Sequence, residues 1–308
     1  MKFNRMAVIL LIGLMASGVV VTGCGSNSNA SGDTSAPSGW PEVIKYSMVP
    51  GEGAEMVAKT AKPIAEDLSK FLGIKVEVFT PTDYTSVIEA MRTKNLDIAE
   101  FGPFSYIIAH DRSGAEAFAV AAKSPEEAFY NSLIIVPGNS PAKSLDDLKG
   151  KKFLFVDPAS TSGNLFPHFM LAKHFGLNTA EDVDKLFSAV SFSGSHDASI
   201  LAVSKGDADG AGVANAILTR MIESGQIKES DVKILKKSDP IPIDPTTYRS
   251  DLPEDLKAKI REFFLNYDNK ELFEERGING YFEIEDSNYD VVRDVADTLK
   301  MSPDDLLK

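Results

Sequence analysis

The chain has 308 residues, of which 43% are hydrophobic, 25% charged and 9% aromatic, the composition of a folded globular protein rather than a disordered or repetitive one. Its 32 Lys and Arg against 45 Asp and Glu leave a net charge of −13, which removes the broad positive surface a phosphate backbone requires, so nucleic acid is not an expected partner. A single cysteine excludes an internal disulfide and any Cys-rich zinc or iron–sulfur site, and four histidines leave little metal chemistry, so neither a metal nor a cofactor is expected.

The first predicted element is an address. Lys2 and Arg5 precede an almost continuous apolar run, Met6 to Val21, which ends at Val-Thr-Gly-Cys with Cys24 as the unique cysteine. The run is shorter than the ~20 residues that cross a bilayer, which favours a cleaved signal segment over a transmembrane anchor. The Gly25 to Gly39 stretch that follows (GSNSNASGDTSAPSG) has the composition of a flexible linker. The arrangement resembles a bacterial lipobox, which implies residues 1–23 as signal peptide, Cys24 as a lipidated first residue, residues 24–40 as linker, and a folded part facing the outer side of the cytoplasmic membrane. Loss of Lys2 and Arg5 takes the side-chain charge from −13 to −15.

From Trp40 onward short apolar runs alternate with amphipathic ones, which predicts an α/β protein with mostly parallel strand pairing. Val43 to Val49 reads as a strand, Ala54 to Leu72 as a helix stopped by Gly73, and Ile74 to Phe79 as a half-exposed strand. Tyr84 opens the next predicted helix. After the strand Leu96 to Phe101, Gly102-Pro103 starts another helix, with Tyr106 about one turn in. Tyr130 lies at the start of the strong strand Phe129 to Val136. A tyrosine joins an apolar face to a hydroxyl, so Tyr84, Tyr106 and Tyr130 are candidates to close a pocket and donate to an oxyanion, although each could equally be core packing.

A second series follows: strand Lys152 to Val156, helix Leu165 to Phe175, strand Leu186 to Phe192, helix Ser195 to Val203, strand Ala208 to Val213, helix Asn215 to Ser224 and strand Val232 to Leu235. Asp157 to Asn164 (DPASTSGN) occupies its first strand-to-helix turn, where the hydroxyls of Ser160, Thr161 and Ser162 and the free N–H groups of a helix start converge on an anion site. The alternative is a plain serine-rich cap. Ser191 to Ser199 (SFSGSHDAS) repeats the construction one unit later, placing His196 at a helix start beside Asp197. The serines flanking His196 lie on the same turn and no G-x-S-x-G elbow occurs, so a serine-hydrolase triad is not expected. The three prolines of Asp239 to Pro245 (DPIPIDP) forbid a strand or helix interior, and Asp244 within them would face an anion favourably only if the ligand brings a proton or an amino group. Pro253 to Tyr267, Leu272 to Gly277 and Tyr289 to Leu299 read as helices. Lys143 to Lys152 and Lys228 to Lys237 read as solvated faces, and Walker A, G-x-G-x-x-G and H-E-x-x-H motifs do not occur.

Two such series predict two lobes, 41–135 with 240–308 and 136–239, with crossovers near Leu133 to Gly138 and Lys236 to Ile243; one continuous doubly wound domain is the alternative. TDYTSVIEAMR (Thr82 to Arg92), DIAEFGPFSYIIA (Asp97 to Ala109), DPASTSGNLFP (Asp157 to Pro167), FSGSHDASILAVSKGDADGAG (Phe192 to Gly212) and IPIDP resemble the phosphate/phosphite/phosphonate-binding proteins of ABC importers, the PhnD-like group. The resemblance implies a two-lobed periplasmic-binding-protein-like (type II) clamshell with two hinge crossovers, a phosphorus oxyanion as ligand, an ABC permease as partner and a monomer without catalysis. Carried over, Ser160, Thr161 and His196 would be oxyanion donors, Tyr84 and Tyr130 would line the site and Asp244 would stand on the ligand's protonated side, with Ser162 and Tyr106 as further members. Asp207, Asp209 and Asn215 are the alternatives for meeting a ligand amino group. A receptor for another small oxyanion, or an enzyme acting on phosphorylated compounds, remains open at this point.

Overall fold

The structure, a computed structural model, describes residues 39–301. The predicted signal segment, Cys24 and the linker up to residue 38 lie outside the described residues. In chain order the elements are β1 (Val43–Met48), α1 (Ala54–Leu72), β2 (Lys75–Val78), α2 (Tyr84–Arg92), β3 (Ile98–Glu100), α3 (Pro103–Ser113), β4 (Ala115–Ala122), β5 (Phe129–Tyr130), β6 (Ser132–Pro137) and β7 (Lys152–Phe155). A wide helical turn, Thr161–Leu165, runs into α4 (Phe166–Phe175), followed by α5 (Ala180–Asp184), β8 (Ala189–Phe192), α6 (His196–Lys205), β9 (Gly210–Ala214), α7 (Asn215–Glu223) and β10 (Val232–Lys237). The chain ends with β11 (Ile241–Pro242), β12 (Pro245–Arg249), α8 (Glu254–Leu265), α9 (Lys270–Arg276), β13 (Gly280–Glu283) and α10 (Asp290–Thr298).

The strands form two larger sheets, in the orders β13-β4-β12-β3-β1-β2 and β10-β6-β9-β7-β8. The expectation of mostly parallel pairing is corrected: each sheet is mixed. β1 runs parallel to β2 and β3, whereas β12 is antiparallel to β3 and β4, and β13 to β4. In the second sheet β7 is parallel to β8 and β9, while β6 is antiparallel to β9 and β10. Apolar strands buried on both faces encode depth but not direction, so composition could not separate the two cases.

The apolar stretch from Phe129 splits at Asn131. β5 leaves the main sheets to pair with β11, Tyr130 opposite Ile241, while Ser132–Pro137 pairs wholly within the second sheet. The chain therefore changes sheets at residues 123–131 and again at 238–244. In the proline-rich return, Pro245 stands at the first position of β12, where its missing N–H costs no ladder bond, and its carbonyl accepts from Phe101 N–H at 3.1 Å. Short strands such as β12 and β13, each of five residues or fewer, carry too little periodicity to be seen in the sequence.

Burial follows the amphipathic pattern. α1 turns Val57, Ala61, Ile64 and Leu68 inward and stops at Gly73, whose φ of 71° lets its N–H reach Ser69 O. One apolar cluster continues from Phe101 and Phe104 beside the first sheet to Val156, Ala159 and Leu165 beside the second, so the two halves meet through packed side chains. Gly212, in β9, lies against Pro167: a Cβ there would come within 2.3 Å of the Pro167 ring. G212A is therefore expected to push the start of α4 off the sheet at a cost of about 1–3 kcal/mol, lowering Tm by several degrees. A melting curve superimposing on wild type would show that the helix yields freely.

Candidate ligand-binding site

A cavity of about 330 Å³ opens between the two sheets. Its walls are strand ends: the segments after β1 and β3 and the residue before β12 on one side, and those after β7, β8 and β9 with the approach to β6 on the other. In open α/β sheets these are the positions where chain direction changes and backbone polar groups become free for a ligand.

The turn after β7 is built to present donors. Asp157 Oδ1 accepts from Ala159 N–H at 2.8 Å, Ser160 Oγ accepts from Gly163 N–H at 3.1 Å, and Leu165 N–H reaches back to Ser160 O at 3.1 Å. Gly163 is required here, because a Cβ would fall 2.4 Å from Val156 Cβ and 2.8 Å from Ser160 Oγ. The loop thus feeds a helix whose first N–H groups, at Thr161 and Ser162, have no intrahelical acceptor. Thr161 Oγ1 accepts from Phe104 N–H at 2.8 Å, so it caps α3 across the cleft while its own proton remains available.

His196 is 4% exposed and opens α6. Its backbone N–H donates to Gly51 O at 2.9 Å, again across the cleft. Ala214 N–H donates to Nδ1 at 3.1 Å, which assigns the ring proton to Nε2. Burial, with Arg220 adding to it, pushes the imidazole down to about 3, so the ring is a neutral donor at any physiological pH. Because Nδ1 bonds the Ala214 amide rather than Asp197, and Ser193 Oγ is engaged with Ser199 Oγ at 2.6 Å, the segment has no relay from carboxylate through His196 to a serine.

Asp244 borders the same cavity. Burial, with the Glu100 carboxylate adding to it, pushes its carboxyl up from 3.8 to about 7. Burial, with Asp244 as the next cause, holds the phenols of Tyr84 and Tyr130 well above their ordinary value, so both remain protonated donors. Glu100, by contrast, is fully engaged: it accepts from Tyr46 OH at 2.6 Å, Tyr281 OH at 3.1 Å and Arg276 Nη2 at 2.7 Å. Glu52 meets Arg220 Nη2 across the cleft at 2.6 Å. Among the described residues, no group of three His, Cys, Asp or Glu is placed to hold a metal ion.

Residues 46–289 match the family model described as "ABC transporter, phosphonate, periplasmic substrate-binding protein". The chain belongs to that family. This substrate-binding protein is 31% identical over 279 residues to the phosphate-import protein PhnD of Mycolicibacterium smegmatis, covering 84% of this chain and 86% of that one. It is 32% identical over 231 residues to the phosphonates-binding periplasmic protein of Escherichia coli, covering 73% and 66%. Its structure is similar to that of a binding-protein component of an ABC phosphonate transporter from Pseudomonas aeruginosa, with a TM-score of 0.75 at 28% identity, covering 82% of this chain and 85% of that one. The fold is accordingly the two-lobed α/β periplasmic-binding-protein fold, and the protein is a non-catalytic solute receptor of a phosphorus-oxyanion ABC transport system.

Of the residues singled out in the sequence, the structure brings Tyr84, Tyr130, Ser160, Thr161, Ser162, His196 and Asp244 to this cleft. Tyr106 is corrected. It is fully buried, its hydroxyl donates to Asp286 Oδ1 at 2.7 Å and its ring packs edge-on against Tyr289, so it fills the core behind α3. Asp207, Asp209 and Asn215 also stay away from the cleft: Asp209 Oδ2 accepts from Lys152 N–H, and Asn215 Oδ1 from Asn131 N–H. Sequence reasoning missed Gly51, Glu52, Glu100, Arg220 and Arg276. Glu100 carried a signal, being a carboxylate at the end of an apolar strand.

The raised carboxyl of Asp244 has a measurable sign. Between its ordinary 3.8 and about 7 the folded protein holds a proton that the unfolded chain releases, so stability falls as pH rises through that window and stays at the lower value above it. Ligand-free D244N is expected to melt higher than wild type at about pH 8, with an upper limit of ~4 kcal/mol, and the gap should close toward pH 4. Equal melting temperatures at both ends of the range would place Asp244 in contact with bulk water.

Proposed function

We propose that this receptor is anchored to the cell membrane through a lipid on Cys24, captures phosphonate or phosphite, with phosphate in the same class, and hands it as a monomer to its permease. The observation that carries the ligand assignment is the make-up of the walls: neutral donors converge on the cavity, the Glu52–Arg220 and Glu100–Arg276 charges are paired with one another, and Asp244 is a carboxyl without a cation partner among the described residues, raised to about 7. Ser160, Thr161, Ser162, His196, Tyr84 and Tyr130 supply hydroxyl, imidazole and helix-start N–H donors. Asp244 takes part in a hydrogen bond that needs one acidic proton, contributed either by the carboxyl or by a singly ionised ligand. Neutral donors satisfy oxyanion oxygens without a covalent or metal bond, which suits a ligand that must later be released. The names of the relatives, one importing phosphate and one binding phosphonates, support the class.

Closure is assigned to two bodies, 41–131 with 240–301 and 132–239, a boundary drawn back from 135 because β6 pairs within the second sheet. The body that closes over the ligand is the shape the permease reads.

Titration calorimetry of phosphite, methylphosphonate and phosphate tests the site. T161A and H196A should each weaken the bound ligand by about 1.5–3 kcal/mol, roughly ten- to more than a hundredfold, with melting still cooperative. Wild-type affinity should fall about tenfold per pH unit once both Asp244 and the ligand have lost their acidic protons, while D244N weakens the protonated ligand most and flattens the profile. Unchanged affinities in T161A and H196A, or one small constant effect of D244N at every pH, would remove these residues from the site. The anchor has its own check: mass spectrometry should find diacylglycerol on an N-terminal Cys24 and none in C24A, and a mature protein retaining Met1 would refute it.

A further inference from the structure

Two segments from opposite sides of the cleft meet through one backbone bond. His196 N–H, at the start of α6, donates to Gly51 O at 2.9 Å, so the next residue in each segment, Glu52 on one side and Asp197 on the other, stands close to the same contact. A third charge reaches this point. Arg220 of α7 pairs with Glu52 through Nη2 at 2.6 Å. α7 begins directly after Ala214, whose N–H holds the His196 ring, so the starts of α6 and α7 lie side by side. Arg220 thus belongs to the Asp197 side of the cleft, yet it pairs with the carboxylate of the other side.

One of the two carboxylates is left without that service. Asp197 Oδ1 is shielded from water and has no hydrogen-bond partner among the described residues. Burial raises the Glu52 carboxyl above its ordinary value, Arg220 draws it down and Asp197 pushes it up, as expected of two carboxylates facing one guanidinium. A shielded carboxylate oxygen without a donor is costly, and the planar fork of an arginine carries several N–H donors that can serve either neighbour. When the cleft opens, Glu52 departs with its own half, whereas Asp197 and Arg220 stay together.

We propose that Arg220 is the moving part of a charge-exchange switch: it ties the two halves together through Glu52 when the cleft is closed and transfers to Asp197, within its own half, when the cleft opens. Opening then leaves no guanidinium without a counter-charge, and water takes up the freed Glu52. The difference between the two pairs, rather than the strength of either, sets the fraction of closed receptor. The inference rests on the two-body closure proposed above and adds what balances it.

Nitroxide labels on K62C of α1 and K205C of α6, both exposed, in the full chain carrying C24A, report the separation of the halves without any ligand. Two separations are expected. D197N should raise the closed-to-open ratio about threefold, E52Q and R220M should each lower it about twofold or more, and D197N should change nothing when added to either. General loss of a negative charge would instead act in all three backgrounds. Methylphosphonate affinity, read by calorimetry, should follow the closed fraction, tightening in D197N by up to the same factor and weakening in E52Q. Two separations whose ratio D197N lowers, leaves unmoved, or shifts equally in the E52Q and R220M backgrounds overturn the switch while leaving two-body closure intact. A single separation in every variant overturns both. Methylphosphonate failing to bind while the ratios shift as stated supports the switch and tells against the ligand assignment alone.

Discussion

A charge withdrawn from water has to be paired or extinguished, and this requirement shapes both walls of the cleft. Glu100 and Arg276 are paired and braced by Tyr46 and Tyr281; Glu52 and Arg220 are paired at a half-exposed edge. His196 is held neutral by burial and by the amide that occupies its Nδ1. Asp244 has no cation in hydrogen-bond reach among the described residues, and it responds by holding its proton toward neutral pH. What remains for an anion is a set of oriented dipoles, each hydrogen bond to a charged group contributing about 1.5–3 kcal/mol, and none so strong that release is prevented. The chain's negative charge is no obstacle, because these donors act at contact distance, whereas exposed charges are screened within about a Debye length.

The residues that face the cavity also hold its sides together. Thr161 caps α3 from the opposite side, His196 N–H reaches Gly51, and Arg220 reaches Glu52. Binding and closure therefore draw on the same few side chains. A ligand that orders Thr161 or His196 lowers the cost of the contacts those residues make across the cleft, and the contacts return the benefit to the ligand, as thermodynamic linkage requires.

The local parts of this arrangement were legible in the sequence. Ser160-Thr161-Ser162 between a strand and an apolar helix, and His196 one unit later, announce free N–H groups and hydroxyls whatever the fold, and both lie where turn chemistry places them. Long-range partnership was not legible. Arg276 reaches Glu100 from far along the chain, and nothing near either residue reports the other. Strand direction was hidden for the same reason, since β3 pairs parallel with β1 and antiparallel with the distant β12, and nothing near β3 reports either partner. Tyr106 shows the opposite error: a tyrosine one turn into a helix has the same local setting whether its hydroxyl meets a ligand or Asp286, and only packing against Tyr289 decides.

The position of β12 also governs how the molecule can be assembled. β3 and β4 never touch as neighbours; β12 lies between them, and it arrives only after the whole of the second sheet has been traversed. A chain emerging N-terminus first therefore presents both strands with open edges until residues 245–249 appear, while β6 to β10 can already pair among themselves. Contacts of such sequence separation make folding slow, and the waiting edges are sites for pairing with other chains. The residue that shares Asp244's peptide bond, Pro245, begins the strand that joins β3 to β4, so the cleft acquires its carboxyl group in the same step that links the two parts of the first sheet, leaving only β13 to cover the outer edge of β4.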